Sequence, residues 1–458
     1  MTAILQRFLN IRRDEVVPLL VSGFFFFCLL TALMVLRPAR DALGMTRGMD
    51  DIRWLFVGTA VVTLAVNPIF GWLVSRFRRI SFITVTYAFF TLSLVGFYAL
   101  LTLTPQAVGI TSGQVFYVWF SVFNLFCTMI FWALMVDRFS FEQSKRLFGA
   151  IAVGGTLGAI AGPWLATQLA KPLGTPALLL VAAGFLVIAI FAAWGVVWVQ
   201  PDRPKTEKDA HPAQDHDRAV IGGNAWNGIS AVFQSKYLLG ISGYMLILSV
   251  IATFLYFTRL QMVADLGTDI DKRTQTFAYI DLITQVATLA LQLVAAGHIM
   301  KRFGVSAALA LLPLIMALGF IGLAIAGSIA ALIVLEVTFK AVQRAIMRPA
   351  RETLFTVVNR EEKYKSKAFT DTFVYRGGDV LGAWSEGVIG KIGMGLIGLA
   401  SVAVPLSLAW GVMGIWLGRR QAKLAAAEAG SASIDDQTPD VLEESEDALQ
   451  AGNVNGEP

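Results

Sequence analysis

Four stretches of this chain, residues 16–36, 54–74, 82–103 and 177–199, each run for about 20 residues with no charge near the middle. That length of apolar helix spans the ~30 Å hydrocarbon core of a bilayer. Such blocks restrict the backbone to helices, because every N–H and C=O inside lipid must be satisfied within the segment. Composition agrees. Hydrophobic residues make up 56% of the 458 residues and mean hydropathy is +0.65. Charged residues are only 15%, against about 25% in soluble domains. The start, MTAILQRFLNIRRDE, is basic but shows no short apolar core followed by a small-residue cleavage site. The first apolar block is therefore expected to stay as an anchor.

Reading the later, charge-interrupted blocks in the same way gives an all-α polytopic membrane protein of about twelve transmembrane helices in two six-helix halves. The expected organisation is an N-terminal half over 1–199, a cytoplasmic linker over 200–237, a C-terminal half over 238–418 and a disordered acidic tail over 419–458. An even number of spans puts both termini on one side. The basic clusters Arg12–Arg13, Arg76–Arg79, Lys145–Arg146, Lys363–Lys367 and Arg419–Arg420 fall on that side, which predicts cytoplasmic termini by the positive-inside bias. A short N-terminus without a transit peptide points to a bacterial inner membrane. The tail carries nine acidic residues against three basic ones, so the rest of the chain is more basic than the overall charge of +5. A basic membrane body suits anionic headgroups or an anionic solute.

Two halves are also suggested by a faint repeat. Gly71 with Arg76 and Phe77 matches Gly297 with Arg302 and Phe303, Leu43-Gly44 matches Leu266-Gly267, and Gly154-Gly155 matches Gly377-Gly378 at nearly one offset. Parallel halves around a central site are the build of major facilitator transporters. The loop 71–79 resembles that superfamily's basic loop between spans two and three, with Ser75 and Arg78 where Asp and Gly are usual.

Charges inside the expected spans carry the functional argument. In span ten, Glu336, Lys340, Arg344 and Arg348 recur every four residues, with Arg351 and Glu352 just beyond. At about 100° per residue this is one face of a helix. A charge facing lipid at mid-membrane costs at least ~2.5–3.5 kcal/mol, so the face is expected to line a wet cavity or to meet partners. An ion-pair ladder is the alternative. Span one ends in Arg37-Pro38-Ala39-Arg40-Asp41, and span ten ends in Arg348-Pro349-Ala350-Arg351-Glu352. Guanidiniums from each half facing one cavity would clamp an anion bidentately. Mixed loop charges outside the membrane are the alternative for residues 37–53. Span eleven holds Asp371, Arg376, Asp379 and Glu386, with Arg376 and Asp379 placed to pair at i+3. In span eight Asp281, Thr284, Gln285, Thr288 and Gln292 form a polar stripe. Asp281 is a candidate for proton coupling or for pairing with a cation such as Arg259, and interhelical glue is its alternative. Gly154, Gly158 and Gly162 in span five are spaced for close helix packing.

Several classes are set aside. Cys28 and Cys127 lie within apolar blocks, and His211, His216 and His298 lie in polar segments, so no metal site or cofactor is expected. No phosphate-binding loop, catalytic triad or ATP-hydrolysis motif is present, so the chain is not expected to be an enzyme, and transport would run on gradients or exchange. No nucleic-acid partner is expected. The partners are the lipid bilayer and a small anionic solute, and the protein is expected to be monomeric.

The strings LRPARDALG, YVWFSVFNLF…FWALMVDRF, EQSKRLFGAIAVGGTLGAIAG and RPARETLFTVVNREEKYKSKAFTDTFVYRGGD resemble the ATP:ADP antiporter (nucleotide translocase) family, an outlying branch of the major facilitator superfamily. The resemblance covers most of residues 15–417. It implies that the basic residue late in helix one, here Arg40, and the one at the end of helix ten, here Arg351, help to recognise a nucleotide. It also implies acidic residues in helices four and seven, where this chain has Val118 and Tyr256.

Three readings are open. The first is an exchanger or symporter of an anionic, phosphorylated or nucleotide metabolite, held by Arg40 and Arg351 with Arg37, Arg348 and Lys340. On this reading Trp119, Phe123, Tyr256 or Tyr375 would stack on a base. The second is a proton-coupled carrier of another solute, with Asp281, Glu336 or Asp371 as the proton site. The third is a non-transporting scaffold. The candidate substrate residues are thus Arg37, Arg40, Asp41, Arg259, Lys340, Arg344, Arg348, Arg351 and Glu352. The candidate coupling or ion-pair residues are Asp281, Glu336, Asp371, Arg376 and Asp379.

Overall fold

A computed structural model describes residues 12–76, 79–200, 232–295, 298–358 and 360–435. Most of the expected linker, half of the repeat around 297 and the chain beyond 435 lie outside them, as do the side chains of the basic loop after span two. Among the described residues the regular backbone is all helical, without strands. The first half comprises α1 (Val16–Gly44), α2 (Met49–Arg76), α3 (Arg79–Leu103), α4 (Gln106–Arg138), α5 (Phe141–Leu173) and α6 (Ala177–Val199). The second comprises α7 (Lys236–Ala264), α8 (Ile270–Ala295), α9 (His298–Ala326), α10 (residues 329–353), α11 (residues 360–391) and α12 (Gly395–Asp435). Among the described residues nine of these helices are long and apolar enough to cross a membrane; the other three passes are α2, α10 and α11.

Local sequence explains the ends. Ser140 and Gln143 form a reciprocal capping box at the start of α5. Ser235 and Ser328 accept hydrogen bonds from the N–H groups of Leu238 and Ala331 at the starts of α7 and α10. Gly174 (φ 81°) and Gly267 (φ 125°) make the turns after α5 and α7 in backbone that side chains other than glycine rarely adopt. Two helices differ from expectation. α1 runs through Pro38 to Gly44 instead of ending before Arg37, so Arg37, Arg40 and Asp41 are helical and not loop charges. Proline inside a membrane helix is tolerated because neighbouring groups resatisfy the freed carbonyl. α12 continues helically to Asp435, so the disorder expected from Arg419 does not begin there. The stretch RRQAKLAAAEA is rich in good helix formers, which the reading by net charge overlooked.

The glycines of α5 let it lie against α1. A Cβ at Gly154 or Gly158 would fall on the backbone at Gly23 or Phe27, and one at Gly155 on the ring of Phe26. The second half repeats the device. A Cβ at Gly378 in α11 would meet Ser249 of α7, and one at Gly382 would meet Thr253. Gly155 and Gly378 thus do the same work in the two halves, whereas Gly377, unlike Gly154, faces open space. Gly44 and Gly267 do not match in this way, since Gly44 is helical and packs on Tyr117.

The buried apolar side chains form three clusters. One is built from α1, α3, α4, α5 and α6, with Ala278 as its sole member from the second half. A second belongs entirely to the second half. The third joins the halves: Ala42, Met45, Ile52 and Tyr117 meet Phe257, Leu260, Val263, Phe277, Ile280 and Ala383. All of these residues lie near the end where α1 and α7 finish, which we call the distal end; the other is the terminal end. Inter-half polar contacts gather there too. Thr175 donates its backbone N–H to Asp271 (2.6 Å) and its hydroxyl bonds Thr274 (2.8 Å). Arg53 reaches Glu386 at 2.6 Å, and Trp54 meets Trp384 edge-on at 5.1 Å. The halves are sealed together distally and keep separate cores elsewhere.

Candidate functional site

Just inside the distal seal, α1, α4, α7, α8 and α10 bring a network of charges to the boundary between the halves. Its centre is Arg259, whose side chain is fully buried. Its guanidinium reaches Glu336 at 2.9 Å, Asp281 at 3.3 Å and Asp41 of the other half at 3.4 Å. It also lies 4.7 Å over the ring of Phe277. Asp41, likewise fully buried, is shared: Arg40 contacts it at 2.5 Å, and the Tyr256 hydroxyl donates to it at 3.0 Å. Tyr256 in turn bonds the Tyr117 hydroxyl at 2.9 Å. Arg40 sits over the rings of Tyr117 (4.8 Å) and Phe120 (5.3 Å).

On the other side of Arg259 the network is looser. Lys340 pairs with Glu336 one helical turn away and approaches Asp281 at 3.8 Å. Arg37 approaches Asp281 at 3.7 Å, an ion-pair separation that is too long for a hydrogen bond. Accordingly Asp281 Oδ2 has no hydrogen-bond donor, and neither does Glu336 Oε2. Arg344 donates to the side chain of Gln285 and pairs with no carboxylate among the described residues. Five basic groups (Arg37, Arg40, Arg259, Lys340 and Arg344) therefore face three carboxylates (Asp41, Asp281 and Glu336). The surplus is positive and sits beside Arg37 and Arg344, not beside Arg40 and Arg259.

α10 is divided by a π turn over Gln343–Met347, and α11 by another over Thr370–Val374. A π turn holds more residues per turn than an α-helix, which offsets the drift of a four-residue spacing. Glu336 and Lys340 meet the centre and Arg344 meets α8, while Arg348 is exposed. Arg351 belongs to a second cluster, between Asp371 (3.0 Å) and Glu352 (2.8 Å), with Lys367 also on Glu352. At 1.5 Å per residue it lies about 16 Å along α10 from Lys340. Arg40 and Arg351, the two residues expected to clamp an anion together, are thus in separate clusters. Around Glu352, partial burial opposes the charged form, but the hydrogen bonds from Lys367 and Arg351 outweigh it and hold its carboxyl below the ordinary range.

A third cluster stabilises the packing of α11 on α7. Asp379 accepts from Ser249 at 2.5 Å, from Thr253 at 3.5 Å and from Arg376 at 3.2 Å. At the distal end Arg53 bridges Asp50 and Glu386, both at 2.6 Å. Among the described residues no group of three or more His, Cys, Asp and Glu could hold a metal. Sequence reasoning missed Tyr117 as a partner and considered Tyr256 as a stacking ring and as the occupant of a family acidic position, not as a hydrogen-bonding hydroxyl; hydroxyls on apolar helices give no periodic signal. Arg53 and Glu386 were visible as charges, but their pairing across more than three hundred residues was not.

The sequence profile of the Major Facilitator Superfamily matches residues 19–347. The chain belongs to this superfamily. Its fold resembles that of the nucleoside transporter NupG, with a TM-score of 0.57, 12% identity, and coverage of 89% of this chain and 98% of that chain. It also resembles a bacterial homologue of the human lysosomal transporter Spinster, solved inward-facing and unoccupied, with a TM-score of 0.54, 13% identity, and coverage of 90% and 96%. At these identities the likeness is one of fold. No curated protein matches the sequence. As a superfamily member with this architecture, the protein is a multi-pass membrane transporter.

Proposed function

We propose that the protein is a secondary-active carrier of an anionic metabolite, bound at the inter-half network and moved by alternating access. The observation that carries this reading is the surplus of two positive charges in a network spanning both halves. An uncompensated buried charge is costly, and an anionic ligand relieves it. Arg37 and Arg344 are the cations best placed to do so, because Arg40 and Arg259 are already committed to Asp41 and Lys340 to Glu336. Arg351, with Glu352 and Asp371, would act at the terminal mouth of the path.

A nucleotide or other phosphorylated solute fits planar guanidinium donors, which bind phosphate bidentately. The resemblance of the Arg-Pro-Ala-Arg strings to ATP:ADP antiporters supports that choice. A protein of the same fold is described as a nucleoside transporter, which supports it weakly. The acid the antiporter family carries in helix seven is replaced by Tyr256, whose hydroxyl binds Arg40 at 3.4 Å. Exchange, and cytoplasmic termini in a bacterial inner membrane, complete the reading.

A proton-coupled carrier is the second reading, favoured by Asp281 Oδ2 and Glu336 Oε2, which lack donors and so have room for a proton. A thermal-shift screen of the purified protein against nucleotides, sugar phosphates and organic acids tests the first. A ligand at a hundredfold excess over Kd adds about 2.7 kcal/mol of stability. Stabilisation by an anion that disappears in Arg344→Gln supports the anion site. Stabilisation by neutral solutes alone, with uptake abolished in Asp281→Asn, would replace it by the second reading.

A further inference from the structure

A separate cavity of about 800 Å³ opens at the terminal end of the second half, away from the charge network. Lys236 in the first turn of α7 and Arg420 in α12 supply its cations, Glu362 sits on its wall, and Tyr237, Val357 and Trp416 supply apolar surface. Lys236 and Arg420 are both exposed, and neither pairs with a carboxylate among the described residues. The depth of the cavity in the membrane comes from α12. Its apolar sequence ends at Leu417 and gives way at once to Arg419 and Arg420. Trp416, 43% exposed, therefore stands at the level where indoles mark the membrane interface. Its ring lies where a side chain at Gly240 would be, which fixes it against α7.

Two unpaired cations from different helices, an interfacial indole and an apolar floor make an amphipathic seat at headgroup depth. We propose that this cavity binds one anionic phospholipid of the bilayer, with its phosphodiester between Lys236 and Arg420 and its glycerol region on Trp416. Basic residues at this depth attract anionic headgroups, and two cations lining one cavity would localise the phosphate. Two cations against the one carboxylate of Glu362 leave the lining positive, which favours this occupant over a neutral lipid or an anionic peptide too large for the cavity. The site lies on the body of the second half, so the lipid would act as a structural ligand and not as transported cargo.

The full-length protein purified in detergent provides the test, with the unfolding midpoint read after adding phosphatidylglycerol, phosphatidylcholine or inorganic phosphate. Phosphatidylglycerol is expected to raise the midpoint more than phosphatidylcholine, and the difference to vanish in Lys236→Gln/Arg420→Gln but to persist in Lys391→Gln, a charge at the distal end. Equal effects of the two lipids, an undiminished difference in the double variant, or full stabilisation by inorganic phosphate alone would each overturn the proposal. A second readout does not depend on stability. Phosphatidylglycerol brominated on its upper acyl chain should quench a component of the tryptophan fluorescence that is absent from Trp416→Phe; quenching identical in that variant would also overturn it.

Discussion

Arg259 of α7 and Asp41 of α1 meet at 3.4 Å across the boundary between the halves, with both side chains fully buried. Each is also held by its own half: Arg259 by Glu336 and Asp281, and Asp41 by Arg40. Removing one partner from such a buried arrangement typically costs about 3–5 kcal/mol, because it strands the other charge. Asp41→Asn is therefore expected to lower the unfolding midpoint and to abolish uptake. In a double-mutant cycle with Arg259→Gln, the two substitutions should cost less together than their sum. Simple additivity would show that the pair contributes nothing as a pair.

The unequal commitment of the cations predicts an order of effects. Arg37→Gln and Arg344→Gln should weaken binding of a stabilising anion by about tenfold to a hundredfold, the worth of one charge-assisted hydrogen bond. Arg351→Gln should alter binding far less while slowing uptake. Titration of the ligand-induced midpoint shift in each variant measures this. An Arg351→Gln defect in binding as large as that of Arg344→Gln would return the clamp to the arrangement read from the sequence.

The distal seal offers a mechanical test. Trp54 and Trp384 touch across it at 5.1 Å, next to the Arg53–Glu386 ion pair. The two native cysteines, Cys28 and Cys127, are buried. Trp54→Cys combined with Trp384→Cys and joined by a short bismaleimide should hold the distal end shut and stop transport, while ligand binding from the terminal side survives. Unimpaired transport after verified cross-linking would mean that this seam does not open.

Glu352 gives a pH dependence of known sign. Its carboxyl is held below the ordinary range in the folded protein. The group therefore stabilises the fold above its unfolded value, about 4.3, and loses that contribution as pH falls toward its folded value. The difference in midpoint between the native protein and Glu352→Gln should be constant near neutrality and shrink below about pH 4.3. A difference that grew on acidification would contradict the assigned hydrogen bonds from Lys367 and Arg351.

The spans were legible because lipid imposes a length and polarity rule that hydropathy reads directly, and the glycine stripe of α5 because close approach requires absent side chains. The candidate charges were legible as charges, since their cost inside a membrane marks them. Their grouping was not. Pro38 made the end of α1 look like a loop, whereas the helix continues and buries Asp41. The matching strings around Arg40 and Arg351 suggested guanidiniums meeting in one cavity, yet Arg40 lies with Asp41 by the distal seal and Arg351 with Glu352 and Asp371 near the terminal mouth. Nothing in a run of residues announces a π turn such as the one at Gln343–Met347. Tyr256 shows the limit most plainly: its hydroxyl joins Arg40, Asp41 and Tyr117, three partners brought together only by tertiary structure.

The two half-cores scarcely mix: among the described residues they share a small apolar cluster at the distal end and the contact of Ala278 with the first-half core. Damage to this protein should accordingly come in two kinds. A substitution deep in either half, at Phe131 or Trp410, takes away material that holds one bundle together and should show as less protein in the membrane. A substitution in the shared cluster, at Ile52 or Phe277, touches the apolar surface that must come apart and re-form, and should show as normal abundance with altered speed. Abundance and turnover are thus written in different residues.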